Sequence, residues 1–355
     1  MLKNGKLLKR KGDIMKEKWI GCLFIFFIGC TDGKEQVLEK FLQHEVLDIP
    51  DMLIGSPVDI QKEGDCLIVM DYKQDSLFHR VDLSKKIYMG MFGEKGNGPG
   101  EFIYPASLKG WGNGSFSCYD VSMRELSLIS LGAESEKVEV SRLYRNDNFM
   151  TFDIVPLSDS LYIVCGETEG AMFSLINREG DVLSVSDEYP YKDEEEKKIP
   201  VRFRAMAYQG TLRVNPNGNF AYATLNAKQV HLYKVENELI RKVGEVIDGY
   251  SHYQPNMQRE GSYGVAHDGK SPKCYMDLAV SEKYVYALYS GRSFEEYRMS
   301  AYEGETVLVY DWTGDLVKTY RLDIPINQFC IDENERIMYA TANIPDPTIV
   351  CFQLD

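Results

Sequence analysis

Short apolar segments alternate with polar turns along nearly the whole chain. These segments are rich in Val, Ile, Tyr and Phe, and no stretch shows the spacing of apolar residues that is typical of an amphipathic helix. One kind of turn joins a segment such as Val58-Asp59-Ile60 to a strongly apolar segment such as residues 66–70. The pattern therefore predicts β-strands joined by hairpin turns.

The turns recur at a regular interval. Turns of this first kind fall near Gly64, Gly114, Ser160, Gly218, Glu282 and Asn334, with spacings of 50, 46, 58, 64 and 52 residues. A second series falls near Ser84, Gly132, Gly180, Asn237 and Gly314. A repeat of about 50 residues with four strands is what a β-propeller blade requires. The prediction is an all-β fold, a six-bladed β-propeller with four-stranded antiparallel blades; a β-sandwich or a β-helix is the alternative.

The last repeat lacks an outer strand. Its three strands are expected near residues 329–332, 336–341 and 348–354. The segment 44–49 precedes the first blade and has no strand partner of its own. Pairing this segment with the last blade would close the ring and cover two sheet edges that would otherwise be exposed. We therefore expect the last blade to be closed by an N-terminal strand.

The amino-terminal segment has the features of a secretion signal. Lys16 and Lys18 precede ten apolar residues, 19–28. At about 1.5 Å per residue, this run spans only half of a ~30 Å hydrocarbon core. It therefore fits the apolar region of a signal peptide better than an uncleaved membrane helix, which is the alternative.

A lipidation signal follows the apolar run. Ile28-Gly29-Cys30 resembles the end of a bacterial lipobox, in which the cysteine carries the lipid, although Phe27 stands where Leu is usual. We predict a signal peptide over residues 1–29 with the true start at Met15. A lipidated tether over residues 30–42 and a propeller over residues 43–355 would follow, with Cys30 as the lipidated residue.

One connection between repeats has a recognisable sequence. Residues 92–102 read Phe-Gly-Glu-Lys-Gly-Asn-Gly-Pro-Gly-Glu-Phe and are followed by Pro105. This segment resembles the inter-blade linker of NHL-type propellers. Together with the leader and with Tyr289-Ser290-Gly291-Arg292, the chain resembles the TolB-like six-bladed propeller lipoproteins of Bacteroides-type bacteria over about residues 40–355. The resemblance implies the fold and an envelope location, but no agreed activity.

The mature chain is strongly acidic. The whole sequence has a net charge of −14, and removal of the basic leader leaves 33 basic and 52 acidic residues. Such a chain is repelled by phosphate backbones and by anionic lipid surfaces. We therefore expect no nucleic-acid partner.

Motifs for catalysis or cofactor binding are weak. Residues 264–271 match the P-loop pattern, but a P-loop needs a buried strand before it and a helix after it, and the flanking segments are polar or strand-like. We expect no nucleotide binding. The five histidines lack metal-ligand spacing. The charged run 193–198 is typical of a solvent-exposed loop. Six cysteines are expected to be small buried apolar residues rather than disulfides. No cofactor is expected. A calcium ion bound in the central channel is an alternative, but the sequence does not identify its ligands.

The long connections are predicted to lie on one face. In a four-stranded antiparallel blade, the links from outer strand to next inner strand and from second to third strand leave on the same face. The connections 187–204, 245–274 and 290–305 are all of these two kinds. Their candidate ligand-binding residues are Arg202, Arg204, His252, Tyr253, Arg259, Tyr263, Arg292 and Tyr297.

The candidate residues suit two kinds of ligand. Arginine favours carboxylate or phosphate oxygens, and tyrosine offers a flat face suited to sugars or peptides. Arg292 is predicted to be the anchor of the site because it follows a strand and Gly291. Its alternative role is an ion pair with Glu295 or Glu296 that would hold the connection together.

These observations predict a non-catalytic ligand- or protein-binding propeller, lipid-anchored in the bacterial cell envelope. The outer membrane is the expected location, on its periplasmic or its surface side, and a sugar, a peptide or a protein is the expected ligand. The alternative is a propeller enzyme of the lactonase, hydrolase or lyase type with a metal at the channel mouth. Acidic ligands and a base in the channel would favour the enzyme, whereas an aromatic, arginine-lined groove would favour the binding protein.

Overall fold

In the computed structural model, the strands are arranged as blades around a central axis. The structure describes residues 37–132, 138–147, 150–259 and 262–354, without the side chains of residues 257–259 and 262. The leader, Met15 and Cys30 lie outside the described residues. Two strands precede the first blade: β1 (Leu38–Leu42) and β2 (His44–Val46). Within the described ranges, the helices are too short and too polar to cross a bilayer.

The first three blades follow the predicted repeats. Blade one contains β3 (Pro57–Glu63), β4 (Cys66–Asp71), β5 (Ser76–Asp82) and β6 (Ile87–Glu94). Blade two contains β7 (Pro105–Gly112), β8 (Ser115–Asp120), β9 (Glu125–Leu131) and β10 (Val138–Arg145). Blade three contains β11 (Met150–Pro156), β12 (Leu161–Thr168), β13 (Ala171–Asn177) and β14 (Val182–Val185).

The last three blades carry insertions. Helices α1 (Glu194–Lys197) and α2 (Val201–Ala207) precede blade four, which contains β15 (Gly210–Val214), β16 (Asn219–Thr224), β17 (Gln229–Glu236) and β18 (Leu239–Ile247). A hairpin of β19 (Tyr253–Arg259) and β20 (Ser262–His267) follows. Blade five contains β21 (Tyr275–Val280), β22 (Tyr284–Tyr289), α3 (Phe294–Tyr297), a 3-10 helix (Arg298–Tyr302), β23 (Gly304–Asp311) and β24 (Leu316–Ile326). Blade six contains β25 (Gln328–Ile331), β26 (Ile337–Asn343) and β27 (Pro347–Gln353).

The predicted six-bladed β-propeller and its closure are confirmed. Blades one to five each contain four antiparallel strands in chain order, blade six contains three, and neighbouring inner strands contact each other, including β25 with β3. β2 pairs antiparallel with β27, with His44 opposite Phe352, and supplies the missing outer strand of blade six. Both turn series fall between the strands that they were predicted to join.

The propeller begins earlier than residue 43. β1, which the sequence placed in the tether, pairs in parallel with β24 as a fifth strand of blade five, with Leu38 opposite Lys318. Leu42 is buried and packs between blades five and six with Tyr320, Leu322 and Phe352. One buried apolar residue in five is too weak a strand signal to be recognised without the partner strand.

Apolar side chains fill the spaces between neighbouring blades. Between blades three and four, Phe173 contacts the rings of Phe220, Tyr222 and Tyr233, with centroids 5.2, 5.3 and 5.2 Å away. Such tilted aromatic pairs stabilise a core beyond the area that they bury. The six cysteines of the described residues are free thiols, and four of them are buried, as predicted.

Candidate functional site

The three long connections contact one another. α2 of the first connection packs on β20 of the second, where the rings of Phe203 and Tyr263 meet at 5.9 Å. The second connection meets the third where the Glu295 N–H donates to the Gly269 carbonyl at 2.8 Å. The connections therefore form one continuous surface, called here the long-loop face.

A cleft of about 650 Å³ opens in the long-loop face between the first and second connections. Its walls come from residues 192–199 and from residues 251–255 and 266–268. Four of the lining residues are acidic and one, Lys192, is basic; the acidic ones are Asp193, Glu195, Glu196 and Asp268. Asp193 and Glu195 lie 3.9 and 2.5 Å from the ammonium groups of Lys192 and Lys198, so the negative excess of this polar cleft comes from Glu196 and Asp268.

Glu196 is held in the wall of the cleft by the start of α1. Asp193 caps this helix by accepting the N–H groups of Glu195 and Glu196 at 3.1 and 2.9 Å. The Glu196 side chain is buried and accepts the Lys192 N–H at 2.7 Å and the Tyr208 hydroxyl at 3.1 Å. Its direct hydrogen bonds therefore come from neutral donors, which hold the carboxylate in the wall of the cleft.

Tyr253 stands beside Glu196. Burial, with the nearby negative charge of Glu196, raises the pKa of Tyr253. Its hydroxyl is buried, and a side-chain hydrogen bond with the Glu196 carboxylate contributes to this rise. The ring of Tyr253 is only partly buried and offers a flat face to a ligand.

His267 adds a neutral imidazole to the cleft. Its Nε2 lies 3.2 Å from the Asn226 amide nitrogen and its Nδ1 lies 3.4 Å from the Ser251 hydroxyl. Burial, and then the positive charge of Lys273, lowers the pKa of His267 to about 4. The ring is therefore uncharged at neutral pH and adds no positive charge to the cleft.

The arginines of the predicted site hold the connections together. Arg292 donates to Glu305 at 2.6 Å and to the Ser300 carbonyl at 3.2 Å, and it stacks on Tyr297 at 5.5 Å. Its alternative role, an ion pair within the connection, is therefore observed, but with Glu305 and more distantly Glu303 instead of Glu295 or Glu296.

Arg204 and Arg202 lie in α2 and are also engaged. Arg204 is buried and donates to the Tyr189 carbonyl at 2.6 Å and to Glu188 at 3.3 Å. Arg202 is exposed and stacks on the ring of Tyr263 at 4.6 Å. Arg259 is the last residue of β19, and its side chain is not among those that the structure describes. Of the eight predicted residues, only His252 and Tyr253 line the cleft.

Sequence reasoning missed Glu196 and His267. The charged run 193–198 was interpreted as a solvated loop, but it starts a helix and buries one of its carboxylates. The spacing Asp193-x-x-Glu196 is a capping-box pattern and could have indicated the helix start. His267 had no comparable local signal, because Ser251 lies 16 residues and Asn226 lies 41 residues from it along the chain.

The central channel is crossed by a network of buried charges. Arg213 on blade four donates to Asp277 of blade five at 3.0 Å and to Asp59 of blade one at 3.3 Å. Lys109 of blade two pairs with Asp153 of blade three at 2.7 Å. Each of these three carboxylates therefore has a cationic partner.

The backbone also binds these channel carboxylates. Asp59 accepts the Leu108 N–H at 2.8 Å, and Asp277 accepts the Phe329 N–H at 2.9 Å, so each links its blade to the next. Burial raises the pKa of Asp277, although Arg213 opposes this shift. In the part of the chain that the structure describes, no group of three His, Cys, Asp or Glu side chains could hold a metal ion.

The segment with the P-loop pattern has a different geometry. Its first residues, 264–267, belong to β20, the second strand of an exposed hairpin. A turn follows in which Asp268 accepts the Lys270 N–H at 3.0 Å, and Pro272 then bridges to Ser293. The helix N-terminus that would receive phosphates is not formed after this turn, so the segment lacks the geometry of a P-loop.

Comparison with known proteins places the fold. A protein of Bacteroides fragilis described as exported superposes with a TM-score of 0.52 at 13% identity, covering 89% of this chain and 99% of that one. The β-propeller domain of Myceliophteria thermophila Cps50 (Swd1) has a TM-score of 0.48 at 11% identity, covering 88% and 100%. None of the curated proteins matches. At 13% identity, the likeness to the Bacteroides fragilis protein concerns the fold alone.

The family is established by a sequence match. The sequence model of the family described as TolB-like 6-blade propeller-like matches residues 36–334, which is most of the chain. The same residues contain β1, β2, blades one to five and β25, whereas β26 and β27 of blade six follow the matched range. The chain therefore belongs to the TolB-like six-bladed β-propeller family.

Proposed function

We propose that this protein is a non-catalytic binding protein whose ligand occupies the cleft of the long-loop face. The observation that carries the proposal is the cleft itself, a space of about 650 Å³ into which a phenol, two imidazoles and several carboxylates converge. Ligand sites in proteins are commonly concave and present a few placed polar groups. They are also commonly built from loops held by a rigid scaffold.

The charge of the cleft determines the ligand class in this proposal. Because Arg202, Arg204 and Arg292 are engaged in the protein itself, an anionic ligand gains little from them. The acidic lining instead favours a ligand with cationic or neutral donors. A peptide segment with Lys or Arg, or a sugar, fits this description.

The enzyme alternative is less favoured. A catalytic channel would need an acid or base free to exchange a proton with substrate. Asp59, Asp153 and Asp277 are each paired with a cation. Their arrangement stabilises the ring of blades instead.

Thermal-shift measurements can test the binding proposal. Short peptides containing Lys or Arg, their acidic counterparts and neutral oligosaccharides serve as probes. A basic peptide or a sugar should raise Tm, and His252→Ala and Tyr253→Phe should each reduce the shift, since both residues line the cleft. Lys283→Ala, on an exposed turn between β21 and β22, is the control and should leave the shift unchanged. A preference for acidic peptides, or a shift unaffected by both cleft variants, would contradict the proposal.

The proposed location is the bacterial cell envelope, with Cys30 as the lipid anchor and the outer membrane as the site. Support comes from the short apolar leader that ends in Ile28-Gly29-Cys30. Metabolic labelling with a fatty-acid analogue should mark the protein, and Cys30→Ala should lose the label. Equal labelling of both forms would contradict lipidation at Cys30, and fractionation of the membranes tests the location.

A further inference from the structure

Exposed apolar side chains are concentrated in β1, in β2 and in the segment between β2 and β3. Leu53, Phe41, Leu38 and Val46 are 80%, 63%, 56% and 53% exposed. With Met299, they are the five most exposed large apolar side chains of the described residues. Single exposed apolar residues need no explanation, but four within so short a segment make this part of the surface a candidate for contact with an apolar partner. These four residues are called here the amino-terminal rim.

The amino-terminal rim lies on the outer edges of two neighbouring blades. Leu38 and Phe41 project from opposite faces of β1, which is the outermost strand of blade five and leaves both faces exposed at these positions. Val46 ends β2, the outermost strand of blade six, and lines a cleft of about 530 Å³ together with Leu53. Most other residues of that cleft are apolar too, among them Ile49 and Met52. The rim therefore combines projecting side chains with an apolar recess.

The tether holds the amino-terminal rim close to a lipid anchor. Only six residues separate Cys30 from Val37, where the described chain starts. An extended chain covers at most about 3.6 Å per residue, so Val37 lies within roughly 25 Å of an anchored Cys30. Because a lipid anchor would keep the rim close to the bilayer, the effective concentration of the rim at the bilayer surface would be high. Weak apolar contacts would then suffice for docking.

We propose that the amino-terminal rim rests on the surface of the bilayer that holds the lipids of Cys30; this inference depends on the proposed lipidation. Exposed Glu45 and the Glu39–Arg321 ion pair at 2.8 Å flank the rim, so these groups add no net positive charge that would attract anionic lipids, and the surface suits zwitterionic phospholipids. Docked through its rim, the propeller stands on the outer edges of blades five and six. The long-loop face, which crosses the ends of the blades, then stays open to solvent.

Tryptophan fluorescence in vesicles can test this docking. Phe41→Trp is introduced into the full chain, which is processed in a bacterial host, purified and reconstituted into phosphatidylcholine vesicles with or without brominated acyl chains. The matched control is Val185→Trp, because Val185 is 38% exposed on the outer strand of blade three, opposite blade six. The unsubstituted protein supplies the background emission of its own tryptophans.

The rim tryptophan should shift its emission to shorter wavelength on reconstitution. It should also be quenched by brominated lipid at least about twofold more than the control, because apolar side chains docked on a bilayer reach its acyl boundary. Equal quenching at positions 41 and 185 would overturn the docking proposal. So would a blue shift that already occurs in detergent and grows with protein concentration, since a second copy would then cover the rim.

The mass of the purified protein separates the two proposals. If Cys30 carries its lipids and position 41 is not preferentially quenched, only the docking is wrong. If Cys30 carries no lipid, the anchoring fails and the docking inference falls with it. Triple substitution of Leu38, Phe41 and Val46 by Ser should leave Tm nearly unchanged, because these side chains are exposed. A large loss of Tm would show that they serve the fold instead of the membrane.

Discussion

Substitution of Arg213 by methionine would test whether the charge network of the channel holds the ring of blades together. Methionine keeps an unbranched apolar stem and removes the guanidinium. Asp277 and Asp59, which are 1% and 3% exposed, would then lose the cation that bridges them. Breaking a buried ion pair by removing one partner costs about 3–5 kcal/mol, because the remaining charge stays buried without compensation. We expect a loss of this size in the free energy of unfolding at pH 8.

The loss should depend on pH in a defined direction. Burial already raises the pKa of Asp277, and Arg213 opposes that rise. Without Arg213, the pKa of this carboxyl in the folded state should rise further above its unfolded value of about 3.9. A carboxyl whose pKa is higher in the folded than in the unfolded state favours folding at low pH. This contribution to the free energy of unfolding is lost as the pH rises through the pKa of the folded state. The deficit of Arg213→Met should therefore be larger at pH 8 than at pH 5.

Denaturant unfolding at both pH values measures these differences. The matched control is Arg142→Met, because Arg142 pairs with Glu125 at 3.2 Å on the surface and its side chain is 57% exposed. An exposed pair of this kind contributes less than about 1 kcal/mol. The reasoning would be refuted if Arg213→Met were no more destabilising than the control at pH 8. It would also be refuted if its deficit grew as the pH fell.

Four further predictions concern the fold and the weak motif. Deletion of residues 37–46 removes β1 and β2 and exposes two sheet edges, so Tm should fall by more than about 5 °C or the protein should aggregate. Burial, and then Lys242, lowers the pKa of His231 to about 4. As the pH falls below about 6.5, the imidazole of His231 is protonated in the unfolded chain but not in the folded one, which lowers the free energy of unfolding. This loss is absent from His231→Gln, whose free energy of unfolding should therefore fall by roughly 2–3 kcal/mol less between pH 7 and pH 4. Gly166→Ala should be strongly destabilising because a Cβ would overlap the backbone of β11, whereas Gly264→Ala, with open space around it, should be nearly neutral in thermal melts. Calorimetry with Mg-ATP should show no heat from either the protein or Lys270→Ala, and micromolar binding lost on that substitution would contradict the assignment of residues 264–271 to a hairpin and turn.

The candidate site was only partly predictable from the sequence. The long connections could be assigned to one face because strand order alone decides where each link leaves a blade. His252 and Tyr253 were therefore found in the right region. Arg204 and Arg292 were expected to meet a ligand, but each is bonded to acceptors of its own connection. A side chain's partner depends on how a loop folds back on itself, and spacing along the chain does not reveal it.

The sequence by itself determined the number of blades, the positions of the turns and the closure of blade six by β2. The blades and turns follow from alternating apolar residues and turn residues, which act over a few neighbouring positions, and the closure follows from counting strands, because the last repeat lacks one. Only the tertiary structure decided that β1 joins blade five, that Glu196 is buried in the cleft wall and that Arg213 bridges Asp59 and Asp277. The partner of β1 lies some 280 residues away along the chain, and Asp59 lies 154 residues from Arg213. Such contacts form when the ring of blades brings distant segments together, and no local pattern encodes them.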